Sequence, residues 1–501
     1  MKKIAKFLIV LGMMGQLSSC DYLDIVPDER AQESDTWKTE GAVRGYLYSC
    51  YGYLPANRTF GNSYWLAEEL TAVTKELFTT FKYGYYSPVS LGFTSNTWST
   101  IWNGIHQCYM FQESLKQVSN EYVTDEMKKQ YLAESNFLIA YYHFLSMRSY
   151  GPTMIIRSVI DLETPISGFP ERSSIDEVVA FINEKLDEAM SEGGLPTTWS
   201  GKDYGRATRL AALALKSRVY LYAASPLYNG NTEMYADFRS PLDGRQLIAQ
   251  EKSQAKWEIS ATQTKYAIDE VEKAKFHLYH DADAGEPSDA KPGLPNKAQR
   301  RLRYTNIDNQ TGNNPEIIWA DTRNDDYYGI QRRCPPRQTL GGKFAGISMT
   351  NCPTLQTIEA FYTKNGLPIN KDKTFDYDER YEYISAPENC DGNNYEDLVK
   401  YANFTPSSDK VMRLCTDREP RFYAWTTYHN GYFEFGKYNN EEISADPAKR
   451  AIRIHLLRDD PHGRGNRTDQ EYSISGFGNK KGVVPSAEWN VIEYPFPLFR
   501  L

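Results

Sequence analysis

The chain of 501 residues contains no Cys-x-x-Cys pair, no His-Glu-x-x-His, no Gly-x-Ser-x-Gly elbow and no phosphate-binding P-loop. Their absence removes the usual signatures of a structural zinc site, a zinc protease, an α/β-hydrolase nucleophile and a nucleotide cradle. The one Gly-rich run, "GFGNKKG" at 476–482, lacks the dinucleotide-binding spacing. Seven histidines offer a single close pair, His277 and His280, which reads as a partly exposed helix end. Positive charge is in deficit, with 57 Lys and Arg against 65 Asp and Glu and a net charge of −8, which argues against a nucleic-acid partner. After the first residues no apolar run reaches the roughly 20 residues that span a bilayer, and mean hydropathy is −0.61.

What the N-terminus does have is three lysines in "MKKIAK" followed by the apolar "FLIVLGMM", the order of a secretory signal. In "GQLSSCDYLDIVPDE", residues 15–29, an ordinary cut before Cys20 would place Leu17 at −3, where a small residue is wanted. Leu, two small residues and then Cys is instead the lipobox order, so residues 1–19 read as a lipoprotein signal peptide and Cys20 as the lipidated mature N-terminus. The alternative is a signal cut nearby with Cys20 incidental, and on either reading the chain leaves the cytoplasm. Removing residues 1–19 takes away three lysines and no acidic residue, moving the charge from −8 to −11. Six cysteines remain, Cys50, Cys108, Cys334, Cys352, Cys390 and Cys415. Outside the cytoplasm disulfides are permitted, and Cys334 with Cys352 or Cys390 with Cys415 would be the natural pairs, although a chain of this length does not need them.

The pattern predicts a mainly α protein. In "SSIDEVVAFINEKLDEAM", 173–190, Ile175, Val178, Val179, Ile182, Leu186 and Met190 repeat at helical spacing, and Ser174 with Glu177 fits a capping box. Residues 207–228 are apolar almost all round and rich in alanine, which predicts a helix buried between neighbours. Residues 131–152 form a third helix, stopped by Gly151 and Pro152. Further helical patterns cover 41–53, 99–118, 259–274 and 354–362. Long helices with short turns suggest tetratricopeptide-like pairs, mainly within 40–276. From 277 to 495 the texture changes to Gly, Pro, Asn and Asp, with short strand-like runs at Glu316–Trp319 and Phe422–Tyr428, which predicts a loop-rich part with small sheets.

Carboxylates such as Glu68 and Glu69 read as solvated charge, while a glycosidase pair would meet only in space. "DADAGEPSD", 281–289, half resembles a calcium loop through Asp281 and Asp283 but lacks the distal glutamate, so a polar turn is preferred and no cofactor is assigned. The informative chemistry is aromatic. Residues 60–102 hold eleven Phe, Tyr or Trp in 43 positions, nearly twice the 14% of the whole chain. Phe81, Tyr83 and Tyr85 alternate, which on an extended segment places them on one face. Flat rings stack on the apolar C–H face of a sugar, while hydroxyls, amides and arginines bond its hydroxyl rim. The loop-borne cluster Phe81, Tyr83, Tyr85 and Tyr86, with Asn96 and Trp98, is therefore the candidate ligand platform, whereas Trp65 and Trp102 fall in helical patterns and are assigned to the core.

Ten segments in order resemble one family, the SusD/RagB starch-utilisation-type outer-membrane lipoproteins of Bacteroidetes. They are "CDYLDIVPDE", "TEGAVRGYLYSCYGYL", "TWSTIWNGIHQCYMFQESL", "AESNFLIAYYHFLSMRSYGPTMII", "ERSSIDEVVAFINEKLDEAM", "GRATRLAALALKSRVYLYAASPLYNG", "NNPEIIWADTRN", "NCPTLQTIEAFYTKNGLPI", "DREPRFYAWTTYHNG" and "EYPFPLFRL". The resemblance covers most of 20–501 as a single body. It implies a non-enzymatic surface protein that binds oligosaccharide or another nutrient and acts as a lid on a SusC-like TonB-dependent transporter. By the same resemblance the loop after "NPEIIW" faces the ligand cleft, which adds Arg323, Asn324, Tyr327 and Tyr328, with Trp319 ambiguous between strand core and site. Family members usually continue after a segment like "YPFPLFRL" into a helix reading roughly "AEIYLNYAEA", which this sequence lacks. Two other functions stay open at this point, a surface glycoside hydrolase and a helical protein-binding scaffold.

Overall fold

A computed structural model describes residues 37–55, 68–72, 84, 94–161, 163–284, 297–308, 314–323, 330–335, 349–385, 410–434, 437–438, 441–442, 451–459, 463, 472–483 and 496–501. Cys20, Trp65, Phe81, Tyr83, Tyr85, Tyr86, Asn324, Tyr327, Tyr328 and Cys390 lie outside these residues. Among the described residues six long helices carry the fold: α1 (Glu40–Tyr51), α2 (Thr94–Leu115), α3 (Asp125–Tyr150), α4 (Ile175–Ala189), α5 (Arg209–Ala224) and α6 (Gln254–Lys273). Consecutive long helices pack against one another, as α1 on α2, α2 on α3, α3 on α4, α4 on α5 and α5 on α6, which gives the layered helical arrangement expected.

Local chemistry sets the helix starts. Thr39, Thr124 and Thr208 each accept a backbone N–H of the first turn through the side-chain oxygen, and Ser174 with Glu177 forms the complete capping box. Helix α4 buries the stripe Ile175, Val178, Val179, Ile182 and Leu186 that its periodicity marked.

The helix buried all round is α3. Every residue from Ala133 to Met147 is buried, including Glu134, Ser135, Asn136, His143 and Ser146. Its polar groups are paired internally: Ser135 donates to the Cys108 carbonyl at 3.2 Å, and Ser146 shares a 2.7 Å hydrogen bond with Thr153. Helix α5 is buried over Leu210–Leu213 and again at Leu215, Val219, Ala223 and Ala224, but it exposes Leu221, so it is one-sided where its composition predicted enclosure.

Two further expectations are corrected. Helix α2 begins at Thr94, five residues earlier than its predicted start, because Trp98 continues the stripe of Ile101, Trp102, Ile105 and Cys108. The run Phe422–Tyr428 is mostly a short helix, Pro420–Trp425, with only Thr426–Thr427 extended. Pro420 at its first position favours helix entry, and Phe422, Tyr423 and Ala424 bury together.

Among the described residues the β-structure is six two-stranded antiparallel ladders. The strand Ile317–Asp321 is buried throughout and pairs with Phe496–Arg500, and this ladder packs against α5. Among the described residues two larger apolar cores result. One joins the helices with Ile318, Trp319 and Phe499; the other gathers Ile358, Ile369, Val411, Leu414, Phe422, Tyr423, Tyr428 and Phe477 in the loop-rich part. Arg418 organises the second core, donating to the carbonyls of Leu414 (2.6 Å), Ile358 (2.7 Å) and Phe361 (2.7 Å).

Cys334 and Cys352 are both buried and not joined by a disulfide, which overturns their pairing, and Cys415 carries no disulfide either. Each of the first two thiols has a polar partner: Cys334 accepts from Asn479 Nδ2 at 3.5 Å, and Cys352 donates to the Thr71 carbonyl at 3.5 Å. Among the described residues no helix is long and apolar enough to cross a membrane.

Candidate functional site

The described members of the aromatic platform stand at one end of the helical layer. Trp98 lies in the second turn of α2, not on a loop, and is half-buried; Asn96 lies in the first turn of the same helix. Because α2 and α3 run antiparallel, Trp98 meets the last residue of α3: its ring is 4.8 Å from Tyr150 at 87° and 5.3 Å from Trp102 at 62°. These edge-to-face contacts fix the ring plane, the arrangement that favours aromatic pairs over a sandwich. Trp102 in turn stands over His143, 6.0 Å away and perpendicular, and packs against the helical core as its pattern predicted.

Arg323 leaves the strand Ile317–Asp321 and turns back onto the helical layer. Its guanidinium bonds both Asp321 oxygens, at 2.9 and 2.7 Å, and donates to the carbonyls of Leu54 (2.9 Å) and Pro55 (3.1 Å). A planar fork is suited to several acceptors at once. Arg323 thus ties the end of the strand to the turn after α1. That turn also approaches α2: a Cβ added to Gly104 would lie 3.0 Å from Tyr53 Cβ and 2.8 Å from the Tyr142 ring. Gly104 is six residues, about 9 Å of helix rise, from Trp98. Arg323 and Trp98 therefore flank the same end of the layer, joined through the 52–55 turn rather than by direct contact.

Trp319, ambiguous in the sequence, is core. It is 2% exposed, packs edge-on to Phe137 (5.0 Å) and Tyr141 (5.4 Å), and donates its indole N–H to the Gly205 carbonyl at 2.8 Å. Gly205 adopts φ +100°, and a Cβ there would sit 2.9 Å from Thr322 Oγ1, so both conformation and space require glycine. One residue further on, Arg206 enters the helical core and bonds Glu134 Oε1 at 2.5 Å and Asp203 at 2.8 Å. Tyr51 completes the cluster, donating to Glu134 Oε2 at 2.6 Å while accepting from Ala207 N at 2.9 Å. Burial pushes the Glu134 carboxyl up, against Arg206 and Tyr51, which draw it down; burial also holds the Tyr51 hydroxyl well above its ordinary value, as a donor. The network locks α1, α3 and the 199–208 loop together beneath the candidate site. Tyr150, Asp321 and the Arg206 network were not singled out from the sequence. Only Tyr150 left a local signal, an aromatic residue immediately before a helix-stopping Gly-Pro.

Elsewhere, Glu68 and Glu69 are exposed, in keeping with solvated charge. In the calcium-like segment the Asp283 carboxylate accepts from the His280 backbone N–H at 2.6 Å and lies 3.4 Å from His277 Nε2, so it caps the local turn; residues 285–289 lie outside the described set.

Residues 21–221 match a sequence model described as SusD-like, starch-binding and associating with the outer membrane, and residues 315–501 match the SusD family model. The chain belongs to the SusD/RagB family. The solved structure named BT4246 is 26% identical, covers 92% of this chain and 77% of its own, and superposes with a TM-score of 0.72. A SusD-like protein, BF3747, from Bacteroides fragilis is 18% identical over 94% of this chain and 74% of its own, with a TM-score of 0.59. A SusD-like carbohydrate-binding protein, BF0978, from the same species is 16% identical over 93% and 72%, with a TM-score of 0.54. The last two show the shared fold. No curated protein matches the chain significantly. SusD-like proteins are carbohydrate-binding and non-catalytic, and they associate with the outer membrane.

Proposed function

We propose that this SusD/RagB protein binds oligosaccharide at the cell surface and passes it to a SusC-like TonB-dependent transporter, acting as its lid, with lipidated Cys20 as the anchor. The observation that carries the proposal is the match of residues 21–221, which contain the whole aromatic segment, to a starch-binding, outer-membrane-associating family. The end of the helical layer supports it: Trp98 presents a half-buried ring held by Trp102 and Tyr150, and Arg323 anchors the strand that leads to Asn324, Tyr327 and Tyr328. The platform is then Phe81, Tyr83, Tyr85, Tyr86, Asn96 and Trp98, to which the family resemblance adds Arg323, Asn324, Tyr327 and Tyr328. Stacking on rings accepts many sugars, so selectivity is assigned to the surrounding loops.

Calorimetry of residues 20–501 against a panel of polysaccharides and oligopeptides tests the binding, repeated with Tyr83, Tyr85 and Trp98 changed to Ala and with folding checked by thermal melting. A glycan that binds uncleaved to the native chain and not to the folded triple variant is expected. Cleavage would favour a hydrolase, and affinity for a protein alone would favour a scaffold. Affinity purification from detergent-solubilised membranes tests the transporter: a TonB-dependent barrel is expected with the chain, and its absence would refute the lid. Mass spectrometry of the mature N-terminus tests the anchor, and an unmodified start at any other residue would refute it.

A further inference from the structure

Cys50 and Cys108 lie opposite each other where α1 crosses α2. The two helices run antiparallel in a register that three contacts fix independently. Gly104 faces Tyr53, with a Cβ built there 3.0 Å from Tyr53 Cβ; Gln107 Nε2 donates to Ser49 Oγ at 2.8 Å; and the Tyr46 ring stacks on Phe111 at 5.8 Å, so that Cys50 and Cys108 fall between these contacts. Both residues are 0% exposed and stand as reduced thiols in this structure, Cys50 Sγ donating to the Tyr46 carbonyl at 3.8 Å. Their backbones are held from α3, where the Tyr142 hydroxyl donates to the Cys50 carbonyl at 2.6 Å and Ser135 donates to that of Cys108 at 3.2 Å. The two helices approach closely at Gly104, one turn away, and a bridge between Cys50 and Cys108 requires such close packing, since bridged cysteines have Cβ atoms about 3.5–4.5 Å apart.

We propose that Cys50 and Cys108 are an oxidisable pair, joined as a disulfide in the exported protein, that closes the chain segment bearing the aromatic platform. The proposal rests on the export reading above. The bridge would enclose residues 51–107, including all of Phe81, Tyr83, Tyr85, Tyr86, Asn96 and Trp98, and tie the segment's entry directly to its exit. A cross-link over a loop this long removes much freedom from the unfolded chain. The chemistry is thiol–disulfide exchange with a disulfide donor of the periplasmic or glutathione type. One cysteine, as thiolate, attacks the donor's disulfide and expels a donor thiolate. The second cysteine, deprotonated, then displaces the remaining donor sulfur. Two protons and two electrons leave the cysteine pair, and the donor's disulfide is reduced to two thiols. Burial raises the Cys108 thiol far above its ordinary value, so exchange takes place during folding, before α1 docks.

The test is to unfold and reduce the full chain, refold it with oxidised glutathione, and then denature it with an alkylating agent and no reductant. Cys50 and Cys108 are expected to escape alkylation and to appear in one cross-linked peptide pair, while Cys334, Cys352 and Cys415 are alkylated. The melting temperature of the refolded protein should fall on adding a reductant, and that of the Cys50→Ala/Cys108→Ala double variant should not respond. Alkylation of both thiols, a bond from Cys50 to any other cysteine, or equal reductant sensitivity in the double variant overturns the proposal. Surface labelling of intact cells decides the export reading separately, since refolding does not depend on location.

Discussion

His143 shows how one buried polar residue sets a pH response. Its ring lies inside α3, accepts from Ile156 N at Nε2 (3.3 Å), bonds the Ile139 carbonyl at Nδ1 (2.7 Å) and packs edge-on to Phe181 at 4.7 Å. Burial, with Arg157 and Lys185 adding to it, lowers the imidazole from 6.5 to about 4. A depressed folded-state value means that the unfolded chain binds the proton first, so stability is complete above about 6.5 and is lost as the pH falls toward about 4. The full loss is about 3 kcal/mol. Chemical denaturation from pH 7.5 to 4 should show that slope, and His143→Gln, less stable at neutral pH, should flatten it; an unchanged slope would assign the effect elsewhere. Arg323 makes a second prediction at this scale. Arg323→Ala removes the fork between Asp321 and the 54–55 carbonyls and should cost about 2 kcal/mol. Arg323→Lys should recover only part of that, because an ammonium cannot bridge the same acceptors, and urea unfolding of the two variants measures it.

Helix by helix, close approach is what composition alone did not reveal. Gly104 sits mid-helix, where glycine ordinarily costs stability, yet a methyl there would meet Tyr142 at 2.8 Å and Tyr53 at 3.0 Å. Gly104→Ala should therefore destabilise the protein, by about 1–3 kcal/mol, although it raises helix propensity, and a rise in melting temperature would refute the contact. Legibility followed the same logic. Helix α4 was readable because one face meets the core and the other meets water, so its apolar period survives. Helix α3 is enclosed on every side, has no face to alternate, and carries Glu134 and His143 because Arg206 and the Ile156 backbone come to them from elsewhere in the chain, while the Ile139 carbonyl one turn away serves the other ring nitrogen of His143. Trp98 reads as loop-borne in the sequence because the predicted helix starts at Ser99, whereas the helix begins at Thr94. Residues 422–428 looked like a strand because their aromatics are dense, but Pro420 and a shared buried face made a helix. The platform residues could be nominated from ring density, whereas the supports that hold them, Tyr150 and Asp321, are set by contacts between distant segments.

Across the molecule, the ladder between 317–321 and 496–500 is the joint of the helical core with the far end of the chain. Phe499 is 1% exposed, lies 5.7 Å from Trp319 and 6.0 Å from Tyr141, and is covered by the Arg218 guanidinium at 4.4 Å. Leu501 N donates to the Glu316 carbonyl at 3.0 Å, extending the pairing to the last residue. The second core, around Ile358, Leu414 and Phe422, shares none of these residues. Phe499→Ala removes a ring that bridges α3, α5 and the strand, and should cost about 3–5 kcal/mol in the helical core. Because the two cores are separate clusters, the loss should be local: hydrogen exchange is expected to accelerate in 137–144 and 317–320, with much smaller change in 355–375 and 411–424. Melting followed by tryptophan fluorescence should shift downward in step, since Trp319 lies in the affected core. Equal acceleration in both regions would mean that they open as one unit, and no acceleration in 317–320 would mean that the C-terminal strand does not hold the joint.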